Sequence, residues 1–314
     1  MKNIFINSII FIISFIIMLF IIEGVLRIKN LDMRNYNIEM WKYTKELKVK
    51  SENPKLGFYH KPSSEAILQS VKIRTNSFGL RGREISKERS VNRRVLFLGS
   101  SATLGWGVKE ENTMISLLNK RMGSDVEVLN AGVGNYNSVR YIELFFTKLK
   151  ELHPTDIVIH FFLNDAEELH VPKSNWFLQN SQLAVVTWNL INKFGNNGTL
   201  IDYYNKIYDE NYIGYINMNN ALDKLIKYCE KKDIRLYFTL MPDLHYLNNT
   251  ELVPYYKKVT NLVNNKGIKF LDLGAKFNNN VEVTKYWVMP NDAHPNELAH
   301  KIMADQIYPF LRLK

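Results

Sequence analysis

The stretch Arg94-Val95-Leu96-Phe97-Leu98-Gly99-Ser100-Ser101-Ala102-Thr103-Leu104-Gly105-Trp106-Gly107-Val108 changes character in its middle. Val95 to Leu98 are apolar; small residues and spaced glycines follow at once. A short apolar run closed by turn residues reads as a strand buried on both faces, as in parallel sheets. Runs of the same kind recur at Val126 to Leu129, Ile157 to Leu163, Ile234 to Leu240 and Ile268 to Leu273. Between them lie amphipathic helical stretches: Thr113 to Met122, Val139 to Leu152, Asn219 to Lys231 and Leu252 to Asn264. A closing helix, Glu297 to Leu311, sets Leu298, Ile302, Ala304 and Ile307 near one face. Strands alternating with helices imply right-handed crossovers, hence an α/β fold: a three-layer α/β/α sandwich around a parallel, flavodoxin-like five-stranded sheet.

Working outward, Ile4 to Ile22 reads IFINSIIFIISFIIMLFII without a charge, long enough to cross the ~30 Å hydrocarbon core of a bilayer. Residues 1–28 are therefore expected to be a transmembrane anchor. A cleaved signal peptide fits less well, because Ile22-Glu23-Gly24-Val25-Leu26-Arg27 offers no small-residue cleavage site. Lys2 and the amino terminus stand on one side; Arg27, Lys29 and Arg34 stand on the other, and this count by itself favours a cytoplasmic body. Residues 29–90 have mixed polarity and no sustained period, and read as a juxtamembrane segment packing on a main domain at 91–314. Within that domain the regularity breaks at about 166–215, where Trp176, Phe177, Trp188, Tyr203, Tyr204 and Tyr208 gather. This insert reads either as a lid or acceptor groove, since aromatic faces suit sugar rings, or as a small core of its own.

Composition excludes several classes. With 314 residues and 46% hydrophobic content the chain can bury a large core. Its net charge of +10 suits an anionic partner, yet the lysines alternate with acids, as in Lys224 to Asp233, and no RNA-recognition or zinc-finger pattern occurs. No nucleic-acid partner is expected. The single cysteine, Cys229, forbids an intrachain disulfide. Dispersed histidines show no usual metal-ligand spacing, and no cofactor is expected.

In an open parallel sheet, ligands bind beyond the carboxyl ends of the strands. Ser101 follows the first strand at a strand-to-helix turn, where a hydroxyl is exposed and backbone N–H groups can receive an oxyanion. Gly105 and Gly107 lack the third glycine of a dinucleotide fingerprint, no Walker A lysine follows, and the G-x-S-x-G elbow is absent. After the second strand, Asn130-Ala131-Gly132-Val133-Gly134-Asn135 allows backbone to approach a ligand. After the third, Asn164 can donate its carboxamide N–H to an oxyanion, or cap the next helix. Late in the chain, Asp292-Ala293-His294 offers an imidazole base oriented by a carboxylate. His170 and His245 compete, because Asp243-Leu244-His245 repeats the Asp-x-His spacing.

Together these fragments resemble the SGNH (GDSL-like) hydrolase superfamily, defined by serine, glycine, asparagine and histidine blocks in that order, and the resemblance spans Val95 to Leu311. Gly99, Ser101, Thr103, Gly105, Gly107 and Val108 match the first block, with Ser101 in the nucleophile position and Ser100 where the family has aspartate. The second-block glycine aligns with Asn135, or with Gly134 if a gap is allowed; Asn164 matches the third block, and Asp292 with His294 the last. The resemblance implies catalysis by Ser101, His294 and Asp292, with an oxyanion hole drawn from Ser101, Gly134 or Asn135, and Asn164. The segments Asn53 to Tyr59 and Thr75 to Arg81 are similar to the lead-in of single-pass bacterial members, which implies an extracytoplasmic body. The implied activity is hydrolysis of a carboxylic ester in a small molecule or an acylated envelope glycan. Transfer to a glycan hydroxyl, alongside a membrane-bound O-acyltransferase, and a non-catalytic glycan-binding scaffold are the alternatives.

Overall fold

The computed structural model describes residues 2–170, 175–195, 198–277 and 282–312. Helix α1 (Lys2–Lys29) is, among these, the one helix long and apolar enough to cross a membrane, and its apolar span is unburied by the rest of the chain. At ~1.5 Å per residue it extends about 42 Å, beyond the hydrocarbon core.

Residues 36–74, for which no regular structure was expected, fold into a helix and two antiparallel strand pairs. Helix α2 (Tyr36–Leu47) starts where the Asn35 side chain accepts the Ile38 N–H. Strand β1 (Lys48–Lys50) pairs with β2 (Phe58–His60), and β3 (Glu65–Leu68) with β4 (Val71–Arg74). The second pair turns on Gln69 and Ser70, both at positive φ, 50° and 62°, as two-residue hairpin turns require. Strands of three or four residues are too short to establish a period, which is why the pattern hid them.

The main domain runs β5 (Arg93–Gly99), α3 (Ser101–Leu104), α4 (Met114–Met122), β6 (Val126–Gly132), α5 (Ser138–Leu144) and β7 (Asp156–Phe161). It continues through α6 (Trp176–Asn180), α7 (Gln182–Gly195), α8 (Leu200–Ile207), α9 (Ile213–Lys232), β8 (Arg235–Leu240), α10 (Val253–Asn265) and β9 (Lys269–Asp272). A short antiparallel pair, β10 (Trp287–Met289) and β11 (Asp292–Pro295), precedes the closing helix α11 (Glu297–Arg312). The sheet order is β6-β5-β7-β8-β9, every pairing parallel, so the expected flavodoxin-like sheet is the observed one. Period-two alternation serves both faces. Leu96, Leu98, Ile157 and Ile159 pack toward α5, α9 and α10, whereas Val95, Phe97 and Val158 pack toward α4 and α11.

Two boundaries moved. The helix expected at Val139 to Leu152 changes pitch after Leu144, passing through a wide turn and then a tight one ending at Leu152. Helix α9 begins at Ile213, inside the expected insert, because Gly214 lets its first turn press on the backbone; a Cβ there would lie 2.6 Å from the Ala166 carbonyl. At the amino ends of the strands, Asp156 bridges Arg93 (2.7 Å) and Arg235 (2.9 Å), and Arg94 pairs with Glu127 (2.6 Å). Those ion pairs leave the opposite, carboxyl ends for chemistry.

Candidate active site

Strand β5 ends in Gly99, and Ser101 opens the short helix α3, whose first N–H groups lack helical partners. Gly105, at φ 81°, ends α3, and Gly132 allows β6 against it: a Cβ there would sit 2.2 Å from the Leu104 nitrogen. The buried Arg81 guanidinium donates to the carbonyls of Leu104 (2.8 Å), Gly105 (2.6 Å) and Val108 (2.6 Å). A cation thus sits at the carbonyl end of the serine's helix, where it offsets the dipole.

The structure brings Ser101, His294 and Asp292 together although Ser101 and His294 are 193 residues apart. His294 Nε2 lies 2.7 Å from Ser101 Oγ, and His294 Nδ1 lies 2.5 Å from Asp292 Oδ1. The carboxylate claims the Nδ1 proton, leaving Nε2 to accept the hydroxyl proton. The same Asp292 oxygen accepts the His294 backbone N–H at 3.1 Å, which closes the turn. Burial pushes the Asp292 carboxyl up, but the hydrogen bond and charge of His294, then the Gln69 amide, outweigh it and hold the group below the ordinary aspartate value.

The other Asp292 oxygen is served by residues the sequence did not point to. Gln69, at the tip of the β3–β4 turn, donates from Nε2 at 2.6 Å, and the Trp106 indole donates at 3.2 Å. Tyr36 lays its ring against His294, centroids 5.5 Å apart. The segment after α1 is therefore a wall of the site. Trp106 carried the only signal, its place between the two first-block glycines; Gln69 and Tyr36 carried none.

The competing histidines stand elsewhere. Asp243-Leu244-His245 folds into the same local turn, Asp243 Oδ1 accepting the His245 N–H at 3.0 Å. Its imidazole, however, stacks on Tyr246 (4.7 Å) and meets Trp287 (5.0 Å) in the cleft wall. His170 offers its backbone carbonyl to Arg140 at 3.0 Å.

Asn164 follows β7 and lines the cleft. Its Oδ1 accepts the Tyr204 hydroxyl at 2.8 Å, and its amide N–H group has no partner among the described residues. Gly134 and Asn135 divide differently. The Gly134 N–H is taken by the Tyr43 hydroxyl at 2.9 Å, so Gly134 is withdrawn as an oxyanion donor. The Asn135 N–H has no partner among the described residues. Asn135 sits at φ 62°, a conformation favoured by glycine and tolerated by asparagine. Buried Lys48 donates to the Gly134 carbonyl at 2.6 Å and so polarises the peptide whose N–H belongs to Asn135. Burial, then the charge of Arg140, pushes the Lys48 ammonium down to about 7. Tyr43 in turn donates to His60 Nε2 (2.6 Å), whose Nδ1 meets the Gly79 carbonyl (3.1 Å).

Ser101, Asp292 and His294 face a cleft of about 460 Å³ walled by Phe162, Leu200, Tyr203, Met241, Tyr246 and Trp287. Of the described aromatic side chains named in the insert, Tyr203 and Tyr204, on α8, line it. Trp176, Phe177 and Trp188 do not.

No family model matches the chain, and no curated protein matches it in sequence. Several solved structures are similar to it. A lipase/acylhydrolase from Enterococcus faecalis is 14% identical over 71% of this chain and 97% of its own, with a TM-score of 0.45. The psychrotrophic esterase EstA from Pseudoalteromonas, in a structure inhibited by monoethylphosphonate, is 15% identical over 70% and 97%, at 0.43. A protein provisionally assigned to the G-D-S-L lipolytic family, from Desulfitobacterium hafniense, is 14% identical over 70% and 99%, at 0.45. Likenesses this distant leave function to be argued from the site.

Proposed function

We propose that the protein is a serine-dependent carboxylic ester hydrolase whose nucleophile is Ser101. The observation that carries this reading is the continuous relay from Ser101 Oγ through His294 to Asp292, at 2.7 and 2.5 Å. His294 Nε2 takes the hydroxyl proton as Oγ attacks the ester carbonyl. The oxyanion is received by the N–H groups of Ser101 and Asn135 and the amide of Asn164. Collapse breaks the bond to the alcohol, which leaves with the proton from His294, and the acyl group stays on Ser101. Water, deprotonated by the same imidazole, then releases the acid.

The cleft volume lies within the ~300–1,000 Å³ of small-molecule sites. With α1 read as a single-pass anchor and the body outside the cytoplasm, the substrate is an acylated molecule of the cell envelope, a glycan first of all. The same acyl-enzyme discharged to a hydroxyl would make a transferase, working with a membrane-bound O-acyltransferase. Measuring envelope O-acetylation in a deletion strain separates them: a rise marks the esterase, a fall the transferase. Protease accessibility of the body in spheroplasts tests the orientation.

The direct test is intact mass of the full-length protein with and without a fluorophosphonate, beside Ser101→Ala. One adduct on the wild type alone supports the proposal. Absence of an adduct on folded protein refutes it and favours a binding scaffold.

A further inference from the structure

Helices α6 and α7 present an apolar surface that the catalytic cleft does not use. Trp176, Phe177, Trp188, Leu190 and Ile191 are 68%, 67%, 47%, 54% and 60% exposed. The sequence of α7, QLAVVTWNLINKFG, has no acidic residue and one lysine. Single exposed apolar side chains are ordinary, but two tryptophans, a phenylalanine and two aliphatics on adjoining helices mark a contact surface.

Its place in the fold identifies the contact. Helix α7 packs against α1, and the Glu23 carboxylate of α1 accepts from Ser181 Oγ (2.9 Å) and from the N–H groups of Gln182 (3.1 Å) and Leu183 (2.9 Å). The start of α7 is thus capped by α1 itself. Arg27 reinforces the junction, donating to Glu23 and to the Asn180 carbonyl, both at 2.7 Å. Glu23 directly follows the apolar run Ile4 to Ile22, so it marks the level at which α1 leaves hydrocarbon. Leu19, one turn deeper, is already partly covered. With α1 read as a span, the start of α7 lies at the membrane surface, beside the unburied apolar surface of α1. Tryptophan is favoured at that level, and apolar helix faces lie about 5–10 Å into the headgroup and acyl boundary.

We propose that α6 and α7 are an interfacial docking element whose exposed tryptophans, phenylalanine and aliphatics enter the bilayer that α1 spans. The proposal rests on reading α1 as a membrane span. Because α8 follows α7 and supplies Leu200, Tyr203 and Tyr204 to the cleft, docking holds that wall of the site at the lipid surface, where envelope-bound esters present themselves.

The five tryptophans, Trp41, Trp106, Trp176, Trp188 and Trp287, all lie outside α1, so indole emission reports on the body alone. The experiment places the full-length protein in phosphatidylcholine vesicles whose acyl chains are brominated near the headgroup, compares emission with unbrominated vesicles, and checks insertion by flotation after a carbonate wash. Quenching in the wild type, largely lost in Trp176→Phe/Trp188→Phe while flotation and fluorophosphonate labelling persist, is the expected result. Flotation without quenching overturns the docking and leaves the anchor standing. Loss of flotation in the wild type overturns both. Equal quenching in the double variant overturns the assignment to this face, and unquenched emission that shifts with protein concentration gives the face to a second copy instead.

Discussion

Gln69 is the sharpest test of the idea that the segment after α1 completes the site. Its amide donates to Asp292 Oδ2 at 2.6 Å, and a hydrogen bond to a charged group contributes about 1.5–3 kcal/mol net. Gln69→Met keeps length and removes the donor, leaving that oxygen the longer Trp106 bond at 3.2 Å. Asp292 is ionised both at rest and while His294 is protonated, so most of the loss falls on folding: stability should drop by about 1.5–3 kcal/mol. Catalysis loses only the steadying of the carboxylate, about tenfold in kcat, or ~1.4 kcal/mol, with KM little changed. The pH profile carries the diagnostic sign. A carboxyl held low contributes stability that is present above its ordinary value and lost as pH falls through the folded value. Removing one of the groups that hold Asp292 low raises the folded value toward the ordinary one, so the acid-side loss of stability is smaller and complete at higher pH, while the acid limb of activity, where Asp292 takes up its proton, moves to higher pH. Gln69→Glu should be worse at neutral pH, since two adjoining carboxylates cannot both ionise, and should recover partly on acidification. The assay is hydrolysis of a p-nitrophenyl ester by the full-length protein in detergent across pH, beside thermal unfolding. Wild-type stability together with an unmoved acid limb in Gln69→Met would refute the reasoning.

Asn164→Ala should lower kcat by ~10² to 10³ with the fold intact, and Tyr204→Phe, which frees the amide to rotate, by a smaller factor; rates of fluorophosphonate labelling check both. Lys48→Met should cost about tenfold in kcat through the Gly134–Asn135 peptide. Because burial pushes Lys48 down to about 7, the wild type should show an alkaline decline from neutrality that the variant lacks. Burial also pushes His160 down to about 4 and His60 and His300 down to about 3. Below about pH 6.5 the unfolded chain binds protons that the folded chain refuses, so stability should fall on acidification by up to ~1.4 kcal/mol per pH unit for each histidine. Unfolding measured between pH 7 and 5 checks this, and a flat profile contradicts it.

What the sequence made legible, and what it hid, follows from the range over which each signal acts. The parallel sheet was readable because strands buried on both faces are unbroken apolar runs, as Val95 to Leu98 shows, and α1 because no folded interior needs 19 uncharged residues in succession. The three-residue and four-residue strands between Lys48 and Arg74 were not, since alternation such as the exposed-buried-exposed-buried pattern of Glu65–Leu68 is over before it can be told from chance. Gln69 was invisible for a further reason: Gln-Ser is not a usual hairpin-turn pair, and its partner lies 223 residues away. The two Asp-x-His segments make the point most sharply. In Asp243-Leu244-His245 and Asp292-Ala293-His294 the aspartate accepts the histidine N–H and closes the same turn, at 3.0 and 3.1 Å, so the backbone turn does not separate them. Only the fold does, by setting β11 against α3 while the turn after β8 is held in the cleft wall by Tyr246 and Trp287. An imidazole beside a carboxylate is common chemistry. It comes within hydrogen-bonding reach of Ser101 through sheet order, among the side chains, Gln69, Trp106 and Tyr36, that the chain brings to it from elsewhere.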